Sequence, residues 1–197
     1  MHKLLLLCLL IIAKTSSAQV SESLVYTYYT ANADTSRSLL SVLNKASPIK
    51  INNRTFHGLT KWYVKWNYHW FEQPNGRCKI TTVTTKYTSS IQLPELVGAN
   101  SAQEQTFNNY LTALRTHELG HYDIGKQAAD VIDSGIASLP EMSSCKELET
   151  AANDLGYQTL DEYKAKEKQY DADTGHGKTQ GAWLEGDVSA TTASAPP

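Results

Sequence analysis

Cysteine is scarce in this chain. There are three in 197 residues, and Cys8 lies inside the first apolar run. That excludes a scaffold stapled by many bridges and leaves a single pair, Cys78 and Cys145. Long apolar runs are missing too. After Leu4–Ala13 none is long enough to span a bilayer, which takes about 20 residues as a helix. No internal repeat is visible, and neither sign of charge dominates.

The first eighteen residues read as a secretory signal peptide. Lys3 is the positive start, Leu4–Ala13 the apolar stretch, and Ser16-Ser17-Ala18 the small residues before cleavage. Lys14 closes the run too early for a membrane anchor, and Leu7 before Cys8 is unsuited to lipid attachment. Lys3 and Lys14 leave with the leader, so sixteen basic residues face twenty acidic ones, a net of −4. A mildly acidic chain points away from nucleic acid and anionic membranes as partners. The expected location is secreted or periplasmic, without stable membrane insertion after cleavage. In such a compartment the even pair predicts a Cys78–Cys145 disulfide, worth roughly 4 kcal/mol through loop closure.

The remaining length fits one domain, residues 19–184. Leu24–Thr30 is rich in β-branched and aromatic residues and reads as a strand. Asp34, Thr35 and Ser36 offer caps for a short helix carrying Leu39, Leu40, Val42 and Leu43. Lys61–Trp70 alternates strictly and sets Trp62, Val64, Trp66, Tyr68 and Trp70 on one face. That face suits sheet packing; carbohydrate or peptide stacking is the functional alternative. Gln73-Pro74-Asn75-Gly76 is a turn, Cys78–Tyr87 the return strand, and Pro94 a break. A long helix is expected over 102–139 and shorter ones over 144–155 and 160–169. Residues 185–197 are Ala, Thr, Ser and Pro with few apolar groups, a disordered composition. The fold class is therefore α+β: a small antiparallel sheet on a long zinc-binding helix, with further C-terminal helices, zincin-like.

The chemistry is concentrated in Thr116–Asp123, T-H-E-L-G-H-Y-D. His117 and His121 are four apart, so on a helix their side chains stack on one face. Two imidazoles so placed can bind one Zn²⁺ per chain. Glu118 flanks them without having to ligate and is the candidate general base. Phe107, Tyr110, Leu111 and Leu114 before the motif, and Ile124, Ala128, Val131, Ile132 and Ile136 after it, carry the histidines near a buried stripe. Unpaired imidazoles and a carboxylate there are costly without a metal.

A catalytic zinc takes three protein ligands and keeps a position for water. The extended H-E-x-x-H-x-x-G-x-x-H pattern fails, because Ile124 and Gln127 occupy its glycine and last histidine positions. Glu141, Glu147 and Glu149 have no distinctive context. The better candidate is His176, set between Gly175 and Gly177 in Y-D-A-D-T-G-H-G. Asp171 or Asp173 could support a ligand imidazole or be the ligand instead, and Tyr170 could steady an oxyanion.

Taken together, W-Y-V-K-W-N-Y, the cysteine after N-G-R, H-E-L-G-H-Y-D, the second cysteine before a helix, and Y-D-A-D-T-G-H-G-K-T-Q-G-A resemble one family. It is the secreted bacterial domain-of-unknown-function family 922, labelled predicted secreted Zn-dependent protease. The resemblance runs from about Val20 to Trp183 and implies an exported metallopeptidase-like domain acting on a peptide or protein substrate. A cell-wall or other amide hydrolase would use the same zinc site. A non-catalytic envelope binding module with a structural metal is the third reading. Against it stand the intact Glu118 and the absence of a spare cysteine to close the coordination.

Overall fold

Two long strands joined by a tight turn form the spine of the molecule. The structure is a computed structural model that describes residues 20–185. The expected signal peptide and the residues beyond 185 lie outside the described residues. Strand β1 is Ser21–Asn32, helix α1 Leu39–Ala46, and β2 (Lys50–Ile51) with β3 (Arg54–Thr55) a small ribbon. Strands β4 (Leu59–Glu72) and β5 (Cys78–Val97) make the spine, followed by helices α2 (Ser101–Ala137) and α3 (Cys145–Thr174). Among the described residues no helix is long and apolar enough to cross a membrane.

The sheet is mixed rather than antiparallel. Its order is β1-β5-β4, with β4 antiparallel to β5 and β1 parallel to it. Alternation reveals a strand but not its direction. Parallel pairing needs a return of the chain between the two strands, and β4 supplies it: α1 and the β2–β3 ribbon carry the chain across the end where β1 finishes, and β4 runs back to the start of β5. Pro94 does not break β5. Pairing with β4 stops at Leu59 opposite Gln92, so Pro94 has only β1 beside it, opposite Tyr29. A proline is tolerated where one side of a strand is unpaired.

The tryptophan face is packing surface. Trp62 Nε1 donates to Glu167 at 2.7 Å, and Trp66 Nε1 to Asn153 at 3.3 Å, so both indoles bind α3. Val64, Trp66, Tyr68, Ile80 and Val83 pack on Ile132, Ile136 and Ala152. A register shift between His69 and Trp70 ends the pattern, and Trp70 is exposed. The two short C-terminal helices expected from the sequence are one, α3, running unbroken through Gly156. A side chain at Gly156 would collide with the Trp66 ring. Glycine costs a helix about 1 kcal/mol, and packing outweighs it here.

Helix α2 begins with a full capping box, Asn100 and Gln103. Phe107, Tyr110, Leu114, His117, Glu118, Gly125, Ala128, Ile132 and Ile136 form its buried stripe. Val131 falls off it and is exposed. The Cys78–Cys145 disulfide is formed, tying the start of β5 to the start of α3.

Candidate active site

Three segments converge where α2 crosses the N-terminal end of β4. The buried stripe of α2 brings His117 and Glu118 inward, each about 4 % exposed. The last two turns of α3 bring Glu167, Tyr170 and Asp171 across from them. The chain then leaves α3 through three consecutive left-handed residues, Gly175, His176 and Gly177. That turn folds Gln180 back onto α2.

Asp171 Oδ1 is the meeting point. It lies 3.3 Å from His117 Nε2, 3.2 Å from His121 Nε2 and 3.3 Å from His176 Nδ1. Burial pushes the Asp171 carboxyl up, but the hydrogen bonds of His117 and His121 outweigh it and hold it well below the usual carboxylate range. Burial likewise lowers His121, yet Asp171 and Glu167 overcome it and raise the imidazole to about 9. Ligand atoms of His117, His121 and Asp171 all lie within 4.8 Å of one another. His176 is not part of that group. It is partly exposed, its ring edge-on to Phe56 at 5.2 Å between centroids.

Both motif histidines have their far nitrogen engaged. His117 Nδ1 is 3.0 Å from Gln180 Oε1, an acceptor, so this nitrogen can donate there while Nε2 faces Asp171. His121 Nδ1 faces Glu167 Oε1 at 3.4 Å. Gln180 also donates to the Tyr170 hydroxyl at 3.0 Å, and that hydroxyl donates to the His117 carbonyl at 3.1 Å. The Tyr170 ring stacks on His117, 5.1 Å between centroids. The hydroxyl expected to steady an oxyanion is thus bonded to the frame that holds His117.

Glu118 is fixed from the sheet side. Thr60 Oγ1 lies 2.7 Å from its Oε2 and 2.9 Å from its backbone oxygen. Burial pushes the Glu118 carboxyl above its ordinary value, and Thr60 and the two histidines lower it only in part. Gly58 has no room for a side chain, because a Cβ there would strike Glu118 Oε1. Beside it His57 is buried. Its Nδ1 is 2.7 Å from the Tyr110 hydroxyl and its Nε2 3.0 Å from Asn44 Oδ1.

These groups line a cleft of ≈ 760 Å³. The cleft holds His117, Glu118, His121, Asp171 and His176. Tyr170 is not among its lining residues. Of the other carboxylates, Asp173 bonds Gln169 at 2.7 Å, Glu141 pairs with Arg77, and Glu147 donates its backbone N–H to the cap Ser144. Gln180, Glu167, Thr60 and Gly58 escaped sequence reading. Glu167 carried a weak signal, four residues before Asp171 on one helical face. Gln180 lies within the quoted K-T-Q-G-A stretch, where its role was invisible. Thr60 and Gly58 carried none.

A family model described as a bacterial protein of unknown function, DUF922, matches residues 26–177. No curated protein and no solved structure matches the chain.

Proposed function

The chain belongs to this bacterial family, DUF922, and from that premise we propose that it is an exported zinc-dependent metallopeptidase. The observation that carries the reading is the arrangement of the two motif histidines. Each has its Nδ1 held by an acceptor, so each directs Nε2 at the same carboxylate oxygen beside a buried glutamate. Three donors that converge this closely call for a cation, and imidazole with carboxylate is a zinc donor set.

His117 Nε2, His121 Nε2 and Asp171 Oδ1 would hold the metal, with His176 bonded to Asp171 from the cleft mouth. This prefers the carboxylate alternative over His176 as third ligand, because only Asp171 shares the 4.8 Å grouping with both histidines. Bound there, Zn²⁺ supplies a Lewis acid that acidifies water and polarises a carbonyl. Glu118 takes the proton of the attacking water and returns it to the leaving amine. Thr60 holds Oε2 in place, and Oε1 lies against Gly58. Gln180 and Glu167 keep the imidazoles in the tautomer the donor set requires.

The test is metal content of the purified protein by elemental analysis, with hydrolysis of a peptide library before and after chelation. About one zinc per chain and chelator-sensitive cleavage are expected. A metal-free protein that stays inert after zinc addition overturns the reading. Zinc with hydrolysis of non-peptide amides alone moves it to the amidase alternative.

A further inference from the structure

The cleft separates its charges. Its three carboxylates point inward and are engaged: Glu118 by Thr60, Glu167 by Trp62 and His121, Asp171 by the histidines. Its three permanent cations are Arg54, Lys164 and Lys168. Lys164 and Lys168 share one stripe of α3 with Glu167 and Asp171, at spacings of three and four residues. Lys168 and Arg54 make no ion pair among the described residues. Lys164 has only Asp161, 3.5 Å away and 81 % exposed, a contact worth little in water. Arg54 reaches the cleft beside Phe56, its guanidinium 5.9 Å from the ring centre. A chain with more acidic than basic residues thus presents uncompensated positive charge at its cleft.

We propose that the side of the cleft formed by Lys164 and Lys168 is a carboxylate subsite, and that the preferred substrates are peptides carrying a carboxylate close to the bond that is cut. The proposal rests on the peptidase reading and adds the substrate class. Lys168 and Lys164 stand three and seven residues before Asp171, about 4.5 and 10.5 Å along the helix axis. An extended peptide covers that in one to three residues at about 3.5 Å each. Leu40, Leu114, Ala182 and Leu184, which also line the cleft, are apolar and offer no partner to a charge. The shared chemistry is a carboxylate, supplied either by a free C-terminus or by an Asp or Glu side chain.

The experiment is a set of matched octapeptides, Glu or Gln scanned through each position, each with a free or amidated C-terminus. Cleavage by the zinc-loaded protein is followed at low and high salt. Carboxylate-bearing peptides should be cleaved at least about tenfold better, the worth of one charged hydrogen bond. The advantage should shrink with salt. A preference for free over amidated termini identifies the terminal carboxylate; a preference for Glu over Gln identifies the side chain. The double variant Lys164→Glu/Lys168→Glu should invert the preference toward Lys-bearing peptides, an outcome that a folding defect cannot produce. Equal cleavage of charged and neutral peptides by the parent overturns the subsite and leaves the peptidase reading standing. A carboxylate preference that survives in the double variant also overturns it. Absence of chelator-sensitive cleavage of any peptide overturns both.

Discussion

The single Thr60 hydroxyl on β4 lies within hydrogen-bond reach of two oxygens of Glu118 on α2, the carboxylate at 2.7 Å and the backbone oxygen at 2.9 Å, and shares its one hydrogen between them. The sheet thereby sets the angle of the one carboxylate that faces the cleft without sharing a histidine. Thr60→Val keeps the shape and removes the donor. We predict a loss of about tenfold in kcat with zinc content unchanged, and about 1 kcal/mol in stability. Gly58→Ala should cost more of both, since its methyl must displace Glu118. Steady-state kinetics and urea unfolding check the pair. Wild-type kcat in Thr60→Val removes Thr60 from the mechanism.

Glu118→Gln separates chemistry from metal binding. The amide cannot take a proton at neutral pH, so turnover should fall by about 10²–10⁴-fold while zinc is retained. Elemental analysis and peptide cleavage on one preparation decide it. Full activity rejects Glu118 as base.

The third ligand is decided by two variants. Asp171→Ala should weaken zinc binding by at least about 100-fold. His176→Ala, which loses only a contact to Asp171, should weaken it by about tenfold or less. Competition with a chromophoric chelator gives both constants. The reverse order restores His176 as the ligand.

Gln180→Leu removes the acceptor at His117 Nδ1 and the donor at Tyr170. Zinc affinity should fall about 10–100-fold. Nitrogen chemical shifts of His117 should show a mixture of tautomers where the parent shows one. An unchanged tautomer would mean that Gln180 only fills space.

His57 governs a pH dependence of stability. Burial, the larger cause, and Lys50 lower its imidazole from 6.5 to about 4. Between those values the unfolded chain binds a proton that the folded protein refuses, so stability falls as pH drops through that window. From pH 7 to pH 5 this amounts to about 2 kcal/mol. His57→Gln should lose that much less over the same interval in urea titrations. Parallel pH profiles for parent and variant would reject the assignment.

Local pattern made the helices and strands readable, and with them half the site. The period of two in Lys61–Trp70 and the stripe through Phe107, Leu114 and Ile132 correspond to real faces. His117, Glu118 and His121 lie together because four residues make about one helical turn. Asp171 and His176 were visible as chemistry in a glycine-rich stretch, but their order of approach to the histidines depends on where α3 ends. Thr60 and Gln180 are contacts across 58 and 63 positions of sequence, which no local period encodes. The parallel pairing of β1 was hidden for the same reason, and the continuity of α3 because Trp66 packs on Gly156 from another element.

The described site takes pieces from positions 58–60, 117–121 and 167–180. During synthesis these emerge in that order, from the N-terminal end. A chain grown to residue 140 already owns the whole H-E-x-x-H helix, yet lacks Asp171 to gather the imidazoles and Gln180 to orient one of them. The motif that announces the chemistry is therefore made early and completed late. Whatever this cleft does, it starts only when α3 has been made and has turned back at Gly175.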